Sequence, residues 1–385
     1  MYQHLEPLQQ YLKDRKAAAA LLRLPENLVL FAQVWPRYGF TFLFVPAVGD
    51  PTLITPVVEV PDAELQGLKN VIPVSDVKLE DGDPVETVIG ILKKLAKQHG
   101  IAANQTIAIE GNENRMAPTF VSNKVQLAGE TTRRMAREGF QTDSFVHVRD
   151  EVYKIRQVKN DRDIAALRRV NKLANQALDY FEEILNEPGI REIDVLTRTE
   201  SRFCQIATGY EGALAARAYG QLTTGPKSLD AFADGVYSDT RVLEKGDVAL
   251  FEFSAVVDGY WADLTRSACV GGYTGKKKEL FDLVVESFNA GVRASKDGAT
   301  GHDVDKASRD VIEAAGYGKY FVHANGHAVG FAHYEGYPVL CPDSTDVLRT
   351  NMVIAVEPGV YLPDIGGIRL EKSVLVGRDG GTVLE

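Results

Sequence analysis

The spacing of hydrophobic and polar positions changes along the chain in a way that predicts two domains. Up to about residue 145, short apolar runs bounded by turn residues alternate with helical repeats. Across 149–185, apolar positions recur every three or four residues, which is the period of a helix that buries one face. The chain of 385 residues is too long for one ordinary domain. We therefore expect domains at 1–148 and 149–385.

The first domain is predicted to be of the α/β type. Residues 1–22 alternate apolar and charged positions at helical spacing, and the Ala17–Ala20 run favours helix. Gly49-Asp50 predicts a hairpin turn between two strands. The expected strands are Asn27–Ala32, Phe40–Pro46, Pro51–Pro56 and Thr106–Glu110, and the further helices lie near Asp83–His99 and Met116–Leu127.

The second domain is predicted to alternate strands with helices. Its first segment, 149–185, is long, charged and helical, and Pro188-Gly189 ends it. The segment Met352–Tyr361 is predicted to hold a strand that is ended by Pro-Gly. The remaining helices are expected at about Ile193–Thr208, Lys276–Lys296 and Val304–Ala315.

A two-residue hairpin is predicted at Asp258-Gly259, between two apolar runs. With this turn, Asp263 faces Ser254 across the ladder. Glu252 lies on the same face, because side chains alternate along a strand. The backbones of Glu252 and Asp263 then lie roughly 7–8 Å apart as diagonal neighbours. Two like charges at that separation repel, and a divalent cation between them would convert repulsion into binding.

The composition excludes several classes of protein. The net charge is −10, which argues against a nucleic-acid surface. No run of about 20 apolar residues is present, so no membrane span is expected. The three cysteines show no paired spacing and are expected to be small apolar thiols. With a polar start to the sequence, these features predict a soluble cytoplasmic protein.

Four carboxylates in strand-like sequence, together with one histidine in a glycine-containing segment, form the candidate site. Asp and Glu are depleted in strands, and a buried carboxylate needs a cation to neutralise it. Oxygen ligands with one nitrogen suit Mn, Co, Fe or Zn. Arg369 shares a strand face with the last carboxylate and is expected near the site. The five candidate ligands are Glu252, Asp263, His327, Glu357 and Glu371.

These residues give the chain a resemblance to the pita-bread metallopeptidases, which include aminopeptidase P, prolidase and methionine aminopeptidase, with creatinase as a metal-free relative. The resemblance implies a creatinase-like α/β domain followed by a pita-bread domain, whose curved antiparallel sheet is flanked by helices. The N-terminal domain fits the creatinase, prolidase and aminopeptidase P branch. The matching segments are Arg156–Asn160, Gly246–Val248, Asp258–Arg266, His323–Gly330, Val356–Tyr361 and Ile368–Glu371.

The resemblance also implies roles for the site residues. The five candidates would hold two divalent metal ions (Mn, Co, Zn or Fe), with Asp263 and Glu371 bridging them. A hydroxide between the metals would attack the amide bond before proline, as in an Xaa-Pro aminopeptidase or dipeptidase. Glu357 would carry the proton as a catalytic residue, and His323 would act beside it. A homodimer is implied as well. Substrate contacts would fall to His323, His333, Tyr334 and Arg369.

Three departures from the family pattern keep other functions open. Glu252 stands where the family has Asp, and Ser254 replaces a usual glycine. No histidine occurs between His147 and His302, where the family has one that binds substrate. Tyr334 takes the place of a second family histidine, and His333 lies one position earlier. The alternatives are a creatinase-like hydrolase of small-molecule C–N bonds and a non-catalytic binding module on the same fold.

Overall fold

The structure is a computed structural model, and its chain divides into two compact units. These are Met1–Arg156 and Gln157–Glu385. The predicted boundary after residue 148 precedes a helix whose end lies at this division. The structure describes residues 4–36, 40–75, 83–110, 129–231 and 237–385.

The first unit is a mixed α/β domain. Among its described residues, six strands form one sheet in the order β4-β3-β2-β1-β5-β6. The β1–β2 and β2–β3 pairs are antiparallel, and the other three pairs are parallel. Its elements are α1 (Leu5–Asp14), β1 (Ala17–Leu22), α2 (Pro25–Ala32), β2 (Phe42–Pro46), β3 (Thr52–Pro56), α3 (Val60–Leu65), β4 (Val71–Val74), α4 (Pro84–Gln98), β5 (Thr106–Ile109), α5 (Gly129–Phe140), β6 (Phe145–His147) and α6 (Arg149–Gln157), which spans the division.

Two predictions for the first unit are wrong. The Ala17–Ala20 run lies in strand β1, between β2 and β5, because pairing on both sides outweighs the weak helix propensity of alanine. Residues 27–32, predicted as a strand, belong to helix α2 and are all buried. Pro25 at the first turn suits a helix start, and periodicity cannot distinguish a buried helix from a buried strand.

The other predicted strands and the α4 helix of this unit are confirmed. Strands β2 and β3 pair around the Gly49-Asp50 turn, and β5 begins at Thr106 as expected. Phe44 of β2 stacks on Phe140 of α5, with ring centroids 5.9 Å apart. This contact lies in the apolar core between the sheet and helices α4 and α5. The helix predicted near Met116–Leu127 lies outside the described residues.

The second unit carries helices and antiparallel strands. Among its described residues, the sheets are β7-β8-β9, β12-β15-β16 and the pairs β10-β11 and β13-β14. Its elements are α7 (Asp161–Ile184), α8 (Glu192–Ala207), β7 (Ala216–Thr224), β8 (Val248–Val257), β9 (Tyr260–Cys269), α9 (Gly275–Ala294), α10 (Gly301–Ala314), β10 (Gly326–His327), β11 (Val339–Leu340), β12 (Val353–Val356), β13 (Gly359–Leu362), β14 (Gly366–Arg369), β15 (Lys372–Leu375) and β16 (Thr382–Val383).

One segment is divided where the sequence predicted continuity. The helical segment 149–185 is two helices, because the Asn160 side chain caps α7 by accepting from the backbone N–H groups of Arg162 and Asp163. The strand predicted to be ended by Pro-Gly is confirmed as β12, and β13 follows it, with Glu357-Pro358 between the two strands. Pro358 has no backbone N–H to donate to a ladder.

The predicted β8–β9 hairpin is confirmed, including its register. Asp258 and Gly259 both have positive φ, 50° and 87°, as a tight hairpin turn requires. Ser254 pairs with Asp263. The Asp258 carboxylate accepts from the backbone N–H groups of Leu214 and Ala215, at 2.9 and 3.0 Å, and this fixes the turn.

Isolated bridges join the small sheets where the candidate ligands lie. Thr265 of β9 pairs with Glu371, and Ala328 pairs with Ile354 of β12.

Among the described residues, no helix is both long and apolar enough to cross a bilayer. The three cysteines are free thiols, with Cys269 buried and the other two partly buried.

Candidate metal centre

The β8–β9 hairpin places Glu252 and Asp263 on one face of the sheet, as predicted from its turn. Glu252 lies opposite Thr265, and Asp263 lies opposite Ser254. The Ser254 hydroxyl donates to Oδ1 of Asp263 at 3.1 Å, so the serine that replaces the usual glycine orients this carboxylate. Asp263 is 1% exposed, and its burial makes a cationic partner necessary.

Glu371 reaches the hairpin through the backbone. Its N–H donates to the Thr265 carbonyl at 3.0 Å, and the Thr265 N–H donates to the Glu371 carbonyl at 3.2 Å. The Thr265 hydroxyl donates to Oε2 of Glu371 at 2.7 Å. Burial and the nearby Asp263 raise the pKa of the Glu371 carboxyl to about 8. The carboxylates of Asp263 and Glu371 therefore lie close enough to repel each other when both are ionised, as the ligands of a shared cation do.

The close approach of β10 to β12 places His327 at the site. Gly326 has a φ of 145°, and a Cβ built there would lie 2.0 Å from the Ala355 carbonyl oxygen, so only glycine fits. The His327 Nδ1 donates to the Ala328 carbonyl at 3.0 Å. Its Nε2 thus keeps the lone pair and lies 3.5 Å from Oδ2 of Asp263. Burial lowers the pKa of His327, and a neutral imidazole is the form that binds metals.

Glu357 follows β12 directly and lies beside His327. Its backbone N–H donates to the Asn325 carbonyl at 3.0 Å. Its Oε1 is 3.9 Å from Nε2 of His327. Burial, followed by the charges of Glu371 and Asp263, raises the pKa of Glu357 well above its ordinary value. Glu357 therefore lies close to the buried carboxylates of Asp263 and Glu371 as well as to His327.

Arg369 is buried at the site, as its strand position predicted. It forms an ion pair with Oε2 of Glu252, and its Nε donates to the Thr265 hydroxyl at 3.0 Å. Its Nη1 donates to the Tyr361 hydroxyl at 3.3 Å. Only 4% of this residue is exposed. Its guanidinium therefore holds Glu252 in place.

His323 lies beside these groups and contacts Tyr361 instead of a carboxylate. Its Nδ1 donates to the Ala324 carbonyl at 2.7 Å, and its Nε2 accepts from the Tyr361 hydroxyl at 3.0 Å. Burial lowers the pKa of His323 to about 4, so the ring is neutral at pH 7. Sequence reasoning assigned no role to Tyr361 or Thr265. In the sequence, the only indication of a role was position: Tyr361 lies two residues after Gly359, and Thr265 lies two residues after Asp263.

The loop after β10 carries the two residues that depart from the family pattern, and it directs them differently. The Tyr334 ring packs against His327, with centroids 4.7 Å apart. The His333 Nε2 lies 3.1 Å from Oδ2 of Asp263. Glu335 is buried in an ion pair with Lys159 at 2.7 Å and accepts from the Phe331 N–H. These contacts of Glu335 anchor the loop that carries His333 and Tyr334.

The upstream segment that lacks the family histidine is held by other contacts. Lys227 forms ion pairs with Glu192 and with Asp239, the second at 2.8 Å. Its ammonium also donates to the Tyr237 carbonyl at 2.9 Å. These contacts make the Lys227 ammonium part of a structural network of ion pairs and hydrogen bonds.

The donor atoms fit divalent cations. They form two groups, Glu252 with Asp263 and His333, and Asp263 with His327 and Glu371. Within each group the ligand atoms all lie within 4.8 Å of one another. Asp263 belongs to both groups, so one carboxylate can serve two adjacent positions. Oxygen and imidazole donors of this kind suit Mn, Fe, Co or Zn.

The buried carboxylates and imidazoles form a candidate metal centre, and the family match assigns it to a metal-dependent hydrolase by class. Residues 165–378 match the family model for Metallopeptidase family M24, and residues 4–158 match that for the Creatinase/Prolidase N-terminal domain. The first match covers more than half of the chain, so the protein belongs to metallopeptidase family M24. The family resemblance and the fold class predicted from the motifs are confirmed.

Known proteins resemble the chain over nearly its full length. An Xaa-Pro dipeptidase of Pyrococcus furiosus is 27% identical over 380 residues, covering 99% of this chain and 97% of the relative. The X-Pro aminopeptidase of Thermotoga maritima has a TM-score of 0.77 at 25% identity, with 100% and 97% of the two chains covered. An Xaa-Pro dipeptidase from Bacillus anthracis has a TM-score of 0.77 at 26% identity, with 99% and 96% covered.

Proposed function

We propose that this protein is a metal-dependent Xaa-Pro aminopeptidase or dipeptidase that hydrolyses the amide bond before proline. The observation that carries the proposal is the position of Asp263, which belongs to both donor groups. Membership of family M24 and the names of full-length relatives, which are Xaa-Pro dipeptidases, support the same reaction.

Two divalent cations are the proposed cofactors, chosen from Mn, Co, Zn and Fe. The residues that would hold them are the five predicted ones, and Asp263 belongs to both donor groups. When bound, such ions supply Lewis acidity to the amide carbonyl and to the attacking water.

Glu357 is the proposed proton carrier. It would accept a proton from the water that attacks the amide carbonyl and pass it to the leaving nitrogen as the C–N bond breaks. Its position beside His327, with Oε1 3.9 Å from Nε2, supports this role. His323 is the second proposed catalytic residue, since its neutral ring accepts from the hydroxyl of Tyr361, which lies near Glu357 and Glu371.

Substrate contacts are proposed at the remaining polar groups around the donor set. Tyr334 lies against His327 and has a hydroxyl where the family has an imidazole. Arg369 acts on the substrate through Glu252, because its guanidinium is buried in that ion pair. Peptide binding is thus assigned to Tyr334 and His323 on the side of His327.

A small-molecule amide is the second candidate substrate. The absence of any histidine between His147 and His302 favours it, since Lys227 in that region is already bound to Glu192 and Asp239. This reading keeps the same donor set and the same type of bond cleavage. It differs in requiring a compact substrate that makes few contacts beyond the metals.

We also propose that the protein is a homodimer in the cytoplasm. Family resemblance supports the dimer. The three free cysteines fit a reducing compartment, where disulfides are rare.

The test is a metal-replacement assay on the full chain. The protein is stripped of metal and reloaded with Mn, Co or Zn, and bound metal is measured by mass spectrometry. Ala-Pro and Ala-Pro-Gly are then compared with Ala-Ala and Ala-Ala-Gly. Metal-dependent cleavage confined to the proline peptides supports the proposal. Bound metal without peptide cleavage favours the small-molecule substrate, and failure to bind any metal overturns both.

A further inference from the structure

His333 lies among the metal-binding donors although its place in the sequence suggested a substrate contact. Its Nε2 is 3.1 Å from Oδ2 of the buried Asp263. Its ligand atom, one of Glu252 and one of Asp263 all lie within 4.8 Å of one another. Three donors gathered this closely are candidates to bind a single cation, for which metal–ligand distances are about 2.0–2.3 Å.

The neighbouring Tyr334 has a different environment, so the two residues are not interchangeable. The Tyr334 ring packs on His327, with centroids 4.7 Å apart. The His333 ring lies edge-on to Trp261, with centroids 6.4 Å apart, and turns towards the β8–β9 hairpin. A shift of one residue in sequence thus moves an imidazole from the His327 side of the site to the Glu252 side.

The altered Glu252 gives this shift a chemical reason. Its carboxylate is held by Arg369, and both the guanidinium and the Thr265 hydroxyl contact Oε2. Part of its negative charge is therefore already neutralised, which weakens it as an anionic ligand. A neutral imidazole adds a lone pair to this position without adding charge to a cluster of four acidic groups.

We propose that His333 is a metal ligand that, with Glu252 and Asp263, holds one divalent cation beside a second held by Asp263, His327 and Glu371. Each position then has one imidazole and at least two carboxylates. This combination suits Mn, Fe, Co and Zn. The proposal rests on the metal-dependent function proposed above and makes His333 a sixth member of the donor set.

The decisive measurement is metal stoichiometry, which does not depend on turnover. Wild type, His333→Gln and the matched control His302→Gln are stripped, titrated with Mn and analysed by calorimetry and mass spectrometry. His302 is exposed on α10, where its Nδ1 donates to the Pro342 carbonyl. We expect two ions per chain in wild type and control. In His333→Gln, one site should weaken by at least about 100-fold, since even residues behind a ligand cost 10- to 100-fold.

Retention of two ions with unchanged affinity in His333→Gln overturns the proposal. Should that variant fail to fold, the zinc-loaded wild-type crystal decides, through its anomalous scattering. A zinc peak about 2.1 Å from Nε2 of His333 supports the ligand role. A ring beyond coordination distance from every peak refutes it.

Peptidase assays on the same samples separate this proposal from the proposed function. Two bound ions, one of which depends on His333, without cleavage of Ala-Pro, leave the ligand role standing and remove the peptidase. Cleavage of Ala-Pro, together with a metal stoichiometry that is unchanged in His333→Gln, supports the peptidase and refutes the ligand role. A wild type that binds no metal refutes both.

Discussion

Arg369 forms a buried ion pair with Glu252, the residue in which the donor set departs from its family. The two side chains come from different strands, β14 and β8, and Thr265 contacts both. The longer glutamate and the arginine therefore form one unit. Removing either partner changes the charge at the Glu252 position as well as its geometry.

Replacing Arg369 by Gln should destabilise the metal-free protein more than the loaded one. The change leaves a mostly buried carboxylate without its cation, which costs about 3 kcal/mol. A bound divalent ion would replace part of that charge. Urea unfolding with EDTA and with Mn measures the two losses. Equal losses in both conditions would show that metal and guanidinium do not share Glu252.

Replacing Glu252 by Asp should weaken metal binding and activity by about 10-fold or more. The shorter side chain draws the carboxylate away from Arg369 and from the His333–Asp263 pair. Calorimetry with Mn and kcat/KM for Ala-Pro test this, with Glu279→Asp on the exposed face of α9 as control. Higher activity in Glu252→Asp would mean that the extra methylene only impairs an otherwise family-like site.

The metal-free protein should lose stability as pH rises. The pKa of Glu371 is raised from 4.5 to about 8 by burial and by Asp263, so the folded chain binds more protons than the unfolded chain across that range. The contribution of Glu371 to the free energy of unfolding is then fully present below pH 4.5 and is lost as pH rises towards 8. Urea midpoints across this range, in EDTA, measure the slope. Saturating Mn and the Glu371→Gln substitution should each reduce the dependence of the urea midpoint on pH.

Replacing His323 by Gln should lower kcat without removing metal. His323 contacts Tyr361 and not the carboxylates, so its loss frees the Tyr361 hydroxyl that it positions near Glu357 and Glu371. A loss of about 100-fold in kcat is expected, comparable to removal of one preorganised donor. Metal content and kcat are measured together, with His302→Gln as control. Loss of a bound ion would identify His323 as part of the donor set instead.

Local signals predicted the hairpin well because its register depends only on a two-residue turn. Asp258-Gly259 determines that Ser254 faces Asp263, and alternation then places Glu252 on the same face. The Ala17–Ala20 strand could not be found in this way. Its pairing partners lie in β2 and in β5, far along the chain, and they override a propensity of a few tenths of a kcal/mol per residue.

The position of His333 could not be predicted from sequence for a related reason. Its direction depends on a loop without repeating secondary structure, anchored by the buried Lys159–Glu335 pair. The two anchoring residues are 176 positions apart. Motif spacing shows that an imidazole is displaced by one residue, but only the folded loop shows that it lies against Asp263.

The backbone bridge between Thr265 and Glu371 joins segments 106 positions apart in the chain. A cation shared by Asp263 and Glu371 at this bridge would act as a removable cross-link that closes a long loop. In the chain-entropy description, closing about 100 residues is worth about 4–5 kcal/mol, comparable to a disulfide. Metal starvation would then shorten the lifetime of the protein against proteases, and its abundance in the cell would follow metal supply.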